Sequence, residues 1–301
     1  MSKKILANFL LKSGAYWGYL RFLSFISRAY FTLTKPKRVR VVDEDWDYLI
    51  ILDACRYDYF QKYIYKFLNN GKLEKKISLG SCTYEWLVKN FYEYYDDIIY
   101  VSANPFISNI NFKGFKATNH FFKVVPVWSY CWDEETGTVH PQKVAEFVLS
   151  VKDKFPDKRI IAHFLQPHAP YIGSTRISQK EICLKDMTNK EDTINRIWEM
   201  VRKGEIPISK LKKAYVDNLE LVLGVVKKLV CNLDGKIVIT SDHGECFGEL
   251  FVFGHPHSVY IKELVEIPWF VIEKNNKYMN INKEKEKIRK HVIKLKNLGK
   301  L

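Results

Sequence analysis

The sequence predicts an α/β fold: a largely parallel central sheet with helices on both faces. Apolar runs of strand length recur at 48–52, 98–101, 159–165, 236–240 and 267–272. They are rich in Ile, Val, Leu and aromatics and lack alternation with polar residues, as in strands buried on both faces. Stretches of helical length lie between them, and alternating strand and helix signals point to a parallel sheet.

Residues 5–31 are apolar, aromatic and basic, with Trp17, Phe22 and Phe25 between Lys12, Arg21 and Arg28. The pattern suits a helix lying on an anionic membrane surface, or one packed on the body with its charges outward. Lys12, Arg21 and Arg28 interrupt every apolar stretch, so none reaches the roughly 18–20 residues that a membrane span needs. Residues 32–40 read as a linker. The strand at 48–52 then runs into Asp53-Ala54-Cys55-Arg56. A helix is expected at 84–95, a strand at 98–101 that ends near Asn104, and a helix at 141–154. Between these, 128–140 is aromatic and polar and is expected to shape specificity. The strand at 159–165 contains His163 and leads into Pro167-His168-Ala169-Pro170-Tyr171. Residues 174–208 are polar and charged and read as an excursion over the body. A helix at 209–229 precedes the strand at 236–240, which ends in Ser241-Asp242-His243-Gly244-Glu245. After the strand at 267–272, Ile288, Val292 and Leu295 recur at helical spacing among lysines, which predicts a basic amphipathic helix over 282–298.

The formal net charge is +14, but it is unevenly placed. Residues 1–40 carry nine Lys/Arg and no acidic residue, and 274–301 carry ten Lys/Arg against two Glu. The body, 41–273, has 29 basic and 32 acidic residues. Three parts follow: a basic amphipathic segment and linker (1–40), a near-neutral globular domain (41–273) and a basic helical tail (274–301). A polyanion-binding core is not implied and nucleic acid is not an expected partner. The basic ends suit an anionic membrane surface. The six cysteines contain no CxxC pair, and no cleavable leader is visible. Those features predict free thiols in a cytoplasmic protein, peripheral at the inner face of the membrane.

In open α/β sheets the ligand crevice lies beyond the carboxyl ends of the strands. Asp53, His168, Asp242, His243 and His255 all fall there. Asp and neutral His are ligands for divalent ions. Asp242 and His243 can share one ion if the chain turns after them, and Gly244 permits such a turn. Asp53 supplies a third ligand. Each residue alone has a structural alternative, since a strand-end Asp often caps a helix or turn. Together they predict one divalent ion, with Mn, Zn and Ca not distinguished.

The spans 47–58, 163–171 and 236–273 resemble the alkaline phosphatase–sulfatase superfamily. Leu52-Asp53-Ala54-Cys55-Arg56-Tyr57-Asp58 is similar to its first metal-ligand strand, "LD-x-x-R-x-D". Pro167-His168-Ala169-Pro170-Tyr171 is similar to "PH-x-PY". Ser241-Asp242-His243-Gly244-Glu245, with Gly248-Glu249 and Gly254-His255, is similar to "SDHGE-x-x-GE…GH". Tyr215-Val216-Asp217-Asn218 fits the helix before that strand, and Glu266-Ile267-Pro268-Trp269 the strand after it. The resemblance implies an alkaline-phosphatase-like core and a metal-bound nucleophile in the stretch 78–86. Three residues compete. Cys82 would make a formylglycine sulfatase, but the maturation motif C-x-P/A-x-R fails at Tyr84 and Trp86. Ser81 is a second candidate and also a candidate helix cap. Thr83 resembles the threonine of the phosphoglycerol- and phosphoethanolamine-transferase branch and is preferred. The second-site Asp of two-metal members is replaced by Phe164. The resemblance therefore implies a one-metal site of Asp53, Thr83, Asp242 and His243. His168 and His255 would face the substrate or leaving group, or hold a loosely bound second ion. Arg56, Asn104 and His163 are assigned to substrate binding, with a structural ion pair as the alternative for Arg56. The function implied is a metal-dependent hydrolase or transferase acting on a phosphoester, lipid- or polymer-linked. A sulfuric ester hydrolase is one alternative. An inactive scaffold with membrane- or nucleic-acid-binding basic ends is another.

Overall fold

The computed structural model describes residues 15–177 and 190–274, with side chains of 190–196 excepted. The helix expected over 282–298, and residues 5–14 of the N-terminal helix, lie outside the described residues.

The apolar runs form the inner part of a seven-stranded sheet. In chain order its first four strands are β1 (Tyr48–Leu52), β2 (Lys72–Ile77), β3 (Tyr95–Ser102) and β4 (Phe121–Pro126). A small hairpin follows, β5 (Trp132–Asp133) with β6 (Thr138–Val139). The main sheet resumes with β7 (Arg159–Phe164) and β8 (Gly235–Thr240). A second short pair, β9 (Cys246–Phe247) with β10 (Phe253–Gly254), precedes β11 (Glu266–Lys274). The order across the sheet is β2-β11-β8-β1-β7-β3-β4. β1 pairs in parallel with both β7 and β8, and β3 with β7 and β4. Only β11 runs against its neighbours, β8 and β2. The sheet is thus largely parallel, as the unalternated runs predict.

The helices are α1 (Ala15–Thr34), α2 (Tyr57–Tyr63), α3 (Thr83–Asn90), α4 (Val127–Cys131), α5 (Pro141–Lys154), α6 (Lys190–Lys203), α7 (Ile208–Cys231) and α8 (Lys262–Val265). They cover both faces of the sheet. Successive side chains of a strand point to opposite faces. Accordingly Ile50 and Leu52 pack with Val144 and Val148 of α5 and Leu219, Val222 and Val226 of α7. Leu49 and Ile51 pack on the other side with Trp86 and Leu87 of α3.

Three elements differ from expectation. β2, sequence KLEKKI, is an edge strand with no fully buried residue, so it carries charge instead of an apolar run. The linker at 32–40 is not free: Val39 is buried and its N–H bonds the Ile77 carbonyl at 2.8 Å. The excursion at 174–208 contains α6, whose Ile197, Trp198 and Val201 fold back onto Tyr171, Tyr215 and Phe247.

Candidate metal centre

Parallel pairing sets three strand ends side by side. Leu52 is in register with Phe164 on one side, and Ile51 with Thr240 on the other. The chain leaves each strand at the same edge, which delivers Asp53 from β1 and Asp242-His243 from β8 to one place. Ser241 fastens the two turns. Its hydroxyl bonds the Leu52 carbonyl and accepts the Cys55 N–H, each at 2.8 Å. Asp242 Oδ1 accepts the N–H groups of Ala54, at 3.1 Å, and of His243, at 2.9 Å. Gly244 is needed for a reason other than the turn. A Cβ there would lie 2.1 Å from the Glu263 carbonyl oxygen, so only glycine admits α8 this close.

Ligand atoms of Asp53, Asp242 and His243 all lie within 4.8 Å of one another, and all three residues are buried. His243 Nδ1 bonds the Gly244 carbonyl at 2.7 Å. That bond places the ring proton on Nδ1 and leaves the Nε2 lone pair facing the carboxylates. Nε2 lies 3.3 Å from Asp242 Oδ2 and 3.8 Å from Asp53 Oδ1. Burial pushes the His243 pKa down, which favours the neutral ligand form. Burial alone would raise that of Asp53. The neighbouring His163, His168 and His243 outweigh it and hold this carboxyl well below the usual range.

Thr83 completes the cluster. It is the first residue of α3, after Cys82 in extended conformation. Its hydroxyl donates to Asp242 Oδ2 at 2.7 Å and lies 3.2 Å from His243 Nε2. A hydroxyl has one proton, so the second contact sets lone pair against lone pair. A shared cation between them resolves that arrangement. His163 Nε2 is buried beside the same carboxylates, 3.3 Å from Asp53 Oδ2 and 4.0 Å from Asp242 Oδ2. Two buried carboxylates need compensation, and the oxygen and nitrogen donors present suit a Zn- or Mn-like ion. The buried triad is capable of coordinating a single divalent ion.

A second group lies alongside. Ligand atoms of His168, Glu245 and His255 lie within 4.8 Å of one another. The His255 ring centroid is 4.5 Å from that of His243 and 5.1 Å from that of His168. His255 Nδ1 meets Glu245 Oε1 at 2.9 Å. Burial lowers the His255 pKa, but the Glu245 carboxylate outweighs it and the result is raised to about 9. The Glu245 carboxylate thus favours the imidazolium form of His255 in the metal-free protein.

The three residues assigned to substrate binding are placed otherwise. Arg56 is held by Asp58 at 2.8 Å and Glu249 at 2.7 Å, and donates to the Glu245 carbonyl at 3.2 Å. It is the structural ion pair, bracing the loop that carries Glu245. Asn104 Nδ2 donates to Asp53 Oδ2 at 2.7 Å, so it orients a ligand. His163 faces the carboxylates from β7, with Tyr100 Oη 2.9 Å from its Nδ1. Ser81 and Cys82 lie close in sequence to Thr83 but outside the triad. The Ser81 hydroxyl bonds Glu85 and the Pro256 carbonyl, each at 3.0 Å. Cys82 groups with Glu85 and His257, and burial pushes its thiol up to about 12.

Sequence reasoning missed two anchors. Glu245, read only as part of a motif, is the partner of His255. Asn218 on α7 holds the loop of His168. Its Oδ1 accepts the N–H groups of Ile172 at 2.8 Å and Gly173 at 2.9 Å, and its Nδ2 donates to the carbonyls of His168 at 3.2 Å and Pro170 at 2.9 Å. An Asn on the apolar face of a helix was the available signal. The segment 128–140 forms α4 and the β5–β6 hairpin. It touches the loop of His168 through Gln166, which donates to the Val139 carbonyl at 3.2 Å.

No protein-family model and no curated protein matches the chain. Solved structures do. The soluble domain of lipooligosaccharide phosphoethanolamine transferase A from Neisseria meningitidis has a TM-score of 0.51 and 15% identity. That match covers 76% of this chain and 76% of that one. The chain has an alkaline-phosphatase-like α/β core, shared with that domain. The integral membrane form of the same transferase also has a TM-score of 0.51 and 15% identity, over 80% of this chain and 49% of that one. The chain thus spans about half of that protein. The C-terminal periplasmic domain of phosphoethanolamine transferase EptC from Campylobacter jejuni has a TM-score of 0.48 and 17% identity, over 79% and 81%.

These matches correct the cytoplasmic placement drawn from thiols and the interrupted apolar stretches. The transferase that shares this fold at a TM-score of 0.51 is named as an integral membrane protein. The five described cysteines are unpaired, but unpaired thiols do not fix a compartment. Among the described residues no helix is long and apolar enough to cross a membrane. The buried triad, with the Thr83 hydroxyl bonded to it, could hold a divalent ion beside that hydroxyl.

Proposed function

We propose that the protein is a metal-dependent phosphoester hydrolase or phosphotransferase that uses Thr83 as its nucleophile. One observation carries the reading: of Ser81, Cys82 and Thr83, Thr83 is the one whose hydroxyl touches the Asp53–Asp242–His243 triad.

Asp53, Asp242, His243 and the Thr83 oxygen would hold the ion. When bound, it would lower the pKa of the Thr83 hydroxyl and offset charge on the phosphoryl oxygens. Asp242 Oδ2 already receives the hydroxyl proton, so Thr83 Oγ1 is poised to form a bond to phosphorus. Thr83 opens α3, and the positive end of that helix would favour a phosphoryl anion beside it. As the ester P–O bond breaks, protonated His255 gives its Nε2 proton to the leaving oxygen. Its Nδ1 stays on Glu245, which keeps the ring charged until that moment. Water or an alcohol then gives its proton to the now neutral His255 and attacks phosphorus; the bond from phosphorus to Thr83 Oγ1 breaks, and Thr83 takes back its proton from Asp242. Water makes the protein a hydrolase and an alcohol makes it a transferase.

The sulfatase alternative has less support, because Cys82 groups with Glu85 and His257 and lacks the maturation motif. The inactive scaffold would have no use for the buried carboxylates. The test is mass spectrometry of protein quenched during turnover of a bis-nitrophenyl phosphodiester. A phosphorylated peptide containing Thr83, absent in Thr83→Ala, supports the reading. Turnover undiminished in Thr83→Ala overturns it.

A further inference from the structure

The helix α1 has two faces of different fate. Its inner face buries Tyr16 and Leu20 against Cys246, Val252, Val259, Ile261, Leu264 and Val265. Three polar ties fix it there. Tyr19 Oη donates to the Leu250 carbonyl at 2.6 Å, Ser24 Oγ to the Ser258 carbonyl at 2.8 Å, and Ser27 Oγ accepts the Tyr260 N–H at 3.0 Å. The helix is not free to roll over and bury its other side.

That other side is apolar. Phe22, Phe25, Ile26, Tyr30 and Leu33 are exposed, Phe25 at 72% and Leu33 at 83%. Spaced three and four apart, they form one continuous stripe. A helix face turned to water normally carries charge there. Here the charges are Arg21 and Arg28, seven residues apart along one flank, and the helix contains no acidic residue. An aromatic and aliphatic stripe flanked by cations matches the interface of a bilayer with anionic headgroups: ring and methyl groups at the acyl boundary, guanidinium groups at the phosphates. A second copy docked on this face would bring Arg21 and Arg28 together without an acid to pair them.

We propose that the outer face of α1 docks on the surface of an anionic lipid bilayer. The stretch that α1 grips, 246–265, carries His255, so docking sets the metal centre beside the membrane surface. The inference deepens the phosphoester reading by pointing to lipid-linked substrates. The surface itself needs no metal, so the two readings fail separately.

Full-length protein is sedimented with phosphatidylcholine vesicles with and without phosphatidylglycerol. Wild type is expected to bind the vesicles containing phosphatidylglycerol. The triple variant Phe22→Ser, Phe25→Ser, Leu33→Ser should lose at least about tenfold in affinity with metal content and elution volume unchanged. Asp242→Ala should bind vesicles like wild type. Absence of wild-type binding overturns the proposal. So does full binding by the triple variant, which would assign binding to the basic tail. So does a wild-type dimer that the triple variant dissociates without any change in vesicle binding.

Discussion

The Thr83 hydroxyl donates to Asp242 Oδ2 at 2.7 Å, although the two residues are 159 positions apart in sequence. One opens α3, and the other lies two residues past the end of β8. The contact sets a hydroxyl on a buried carboxylate pair, and that hydroxyl is the nucleophile in the proposed function. Thr83→Ala should lower phosphodiester turnover by about three orders of magnitude or more, while Thr83→Ser retains part of it. Cys82→Ala should turn over like wild type. Steady-state rates of the three variants check the assignment.

His255 is the proton donor in this scheme, and its pKa of about 9 depends on Glu245. In metal-free protein its imidazole should titrate near that value by NMR. Glu245→Gln removes the carboxylate that favours the charged form, so the titration should move down. His255→Gln should slow turnover by about 10²–10⁴-fold, most for substrates with poor leaving groups.

Asn218 spans the loop of His168 from both sides of its amide. Asn218→Ala would strand the N–H groups of Ile172 and Gly173, at about 1–3 kcal/mol for each orphaned group. Chemical denaturation should show the loss. Gly244→Ala should also destabilise, by about 1–3 kcal/mol, because its Cβ meets the Glu263 carbonyl.

How much of this is legible in the sequence follows from what each element buries. β1, β7, β8 and β11 are apolar runs and announce themselves, and Asp53, Asp242 and His243 stand at their ends. β2 hides because an edge strand needs no apolar run. The sequence reading assigns Arg56, Asn104 and His163 to substrate binding. Which partner an Arg or Asn finds is a tertiary fact: Arg56 meets Glu249, 193 residues away, and Asn104 meets Asp53. The outer stripe of α1 was visible in composition, but its exposure depends on Tyr16 and Leu20 taking the inner face.

Acid should loosen the α3 region through Glu85. Burial raises its pKa, but bonds from Lys89, Tyr260 and Ser81 outweigh that and lower it to about 2. The folded pKa lies below the unfolded one, so this stabilisation is present above about pH 4.5 and disappears as pH falls toward 2. Glu85→Gln should lack that part of the acid sensitivity in melting curves between those pH values.

The central claim is a single ion held by Asp53, Asp242 and His243. The most direct measurement is metal content per chain after reconstitution with Zn²⁺ or Mn²⁺, for wild type and Asp242→Ala. About one ion per chain in wild type, and none in the variant, is the predicted result. An equal ion content in both proteins, or none in either, would contradict it.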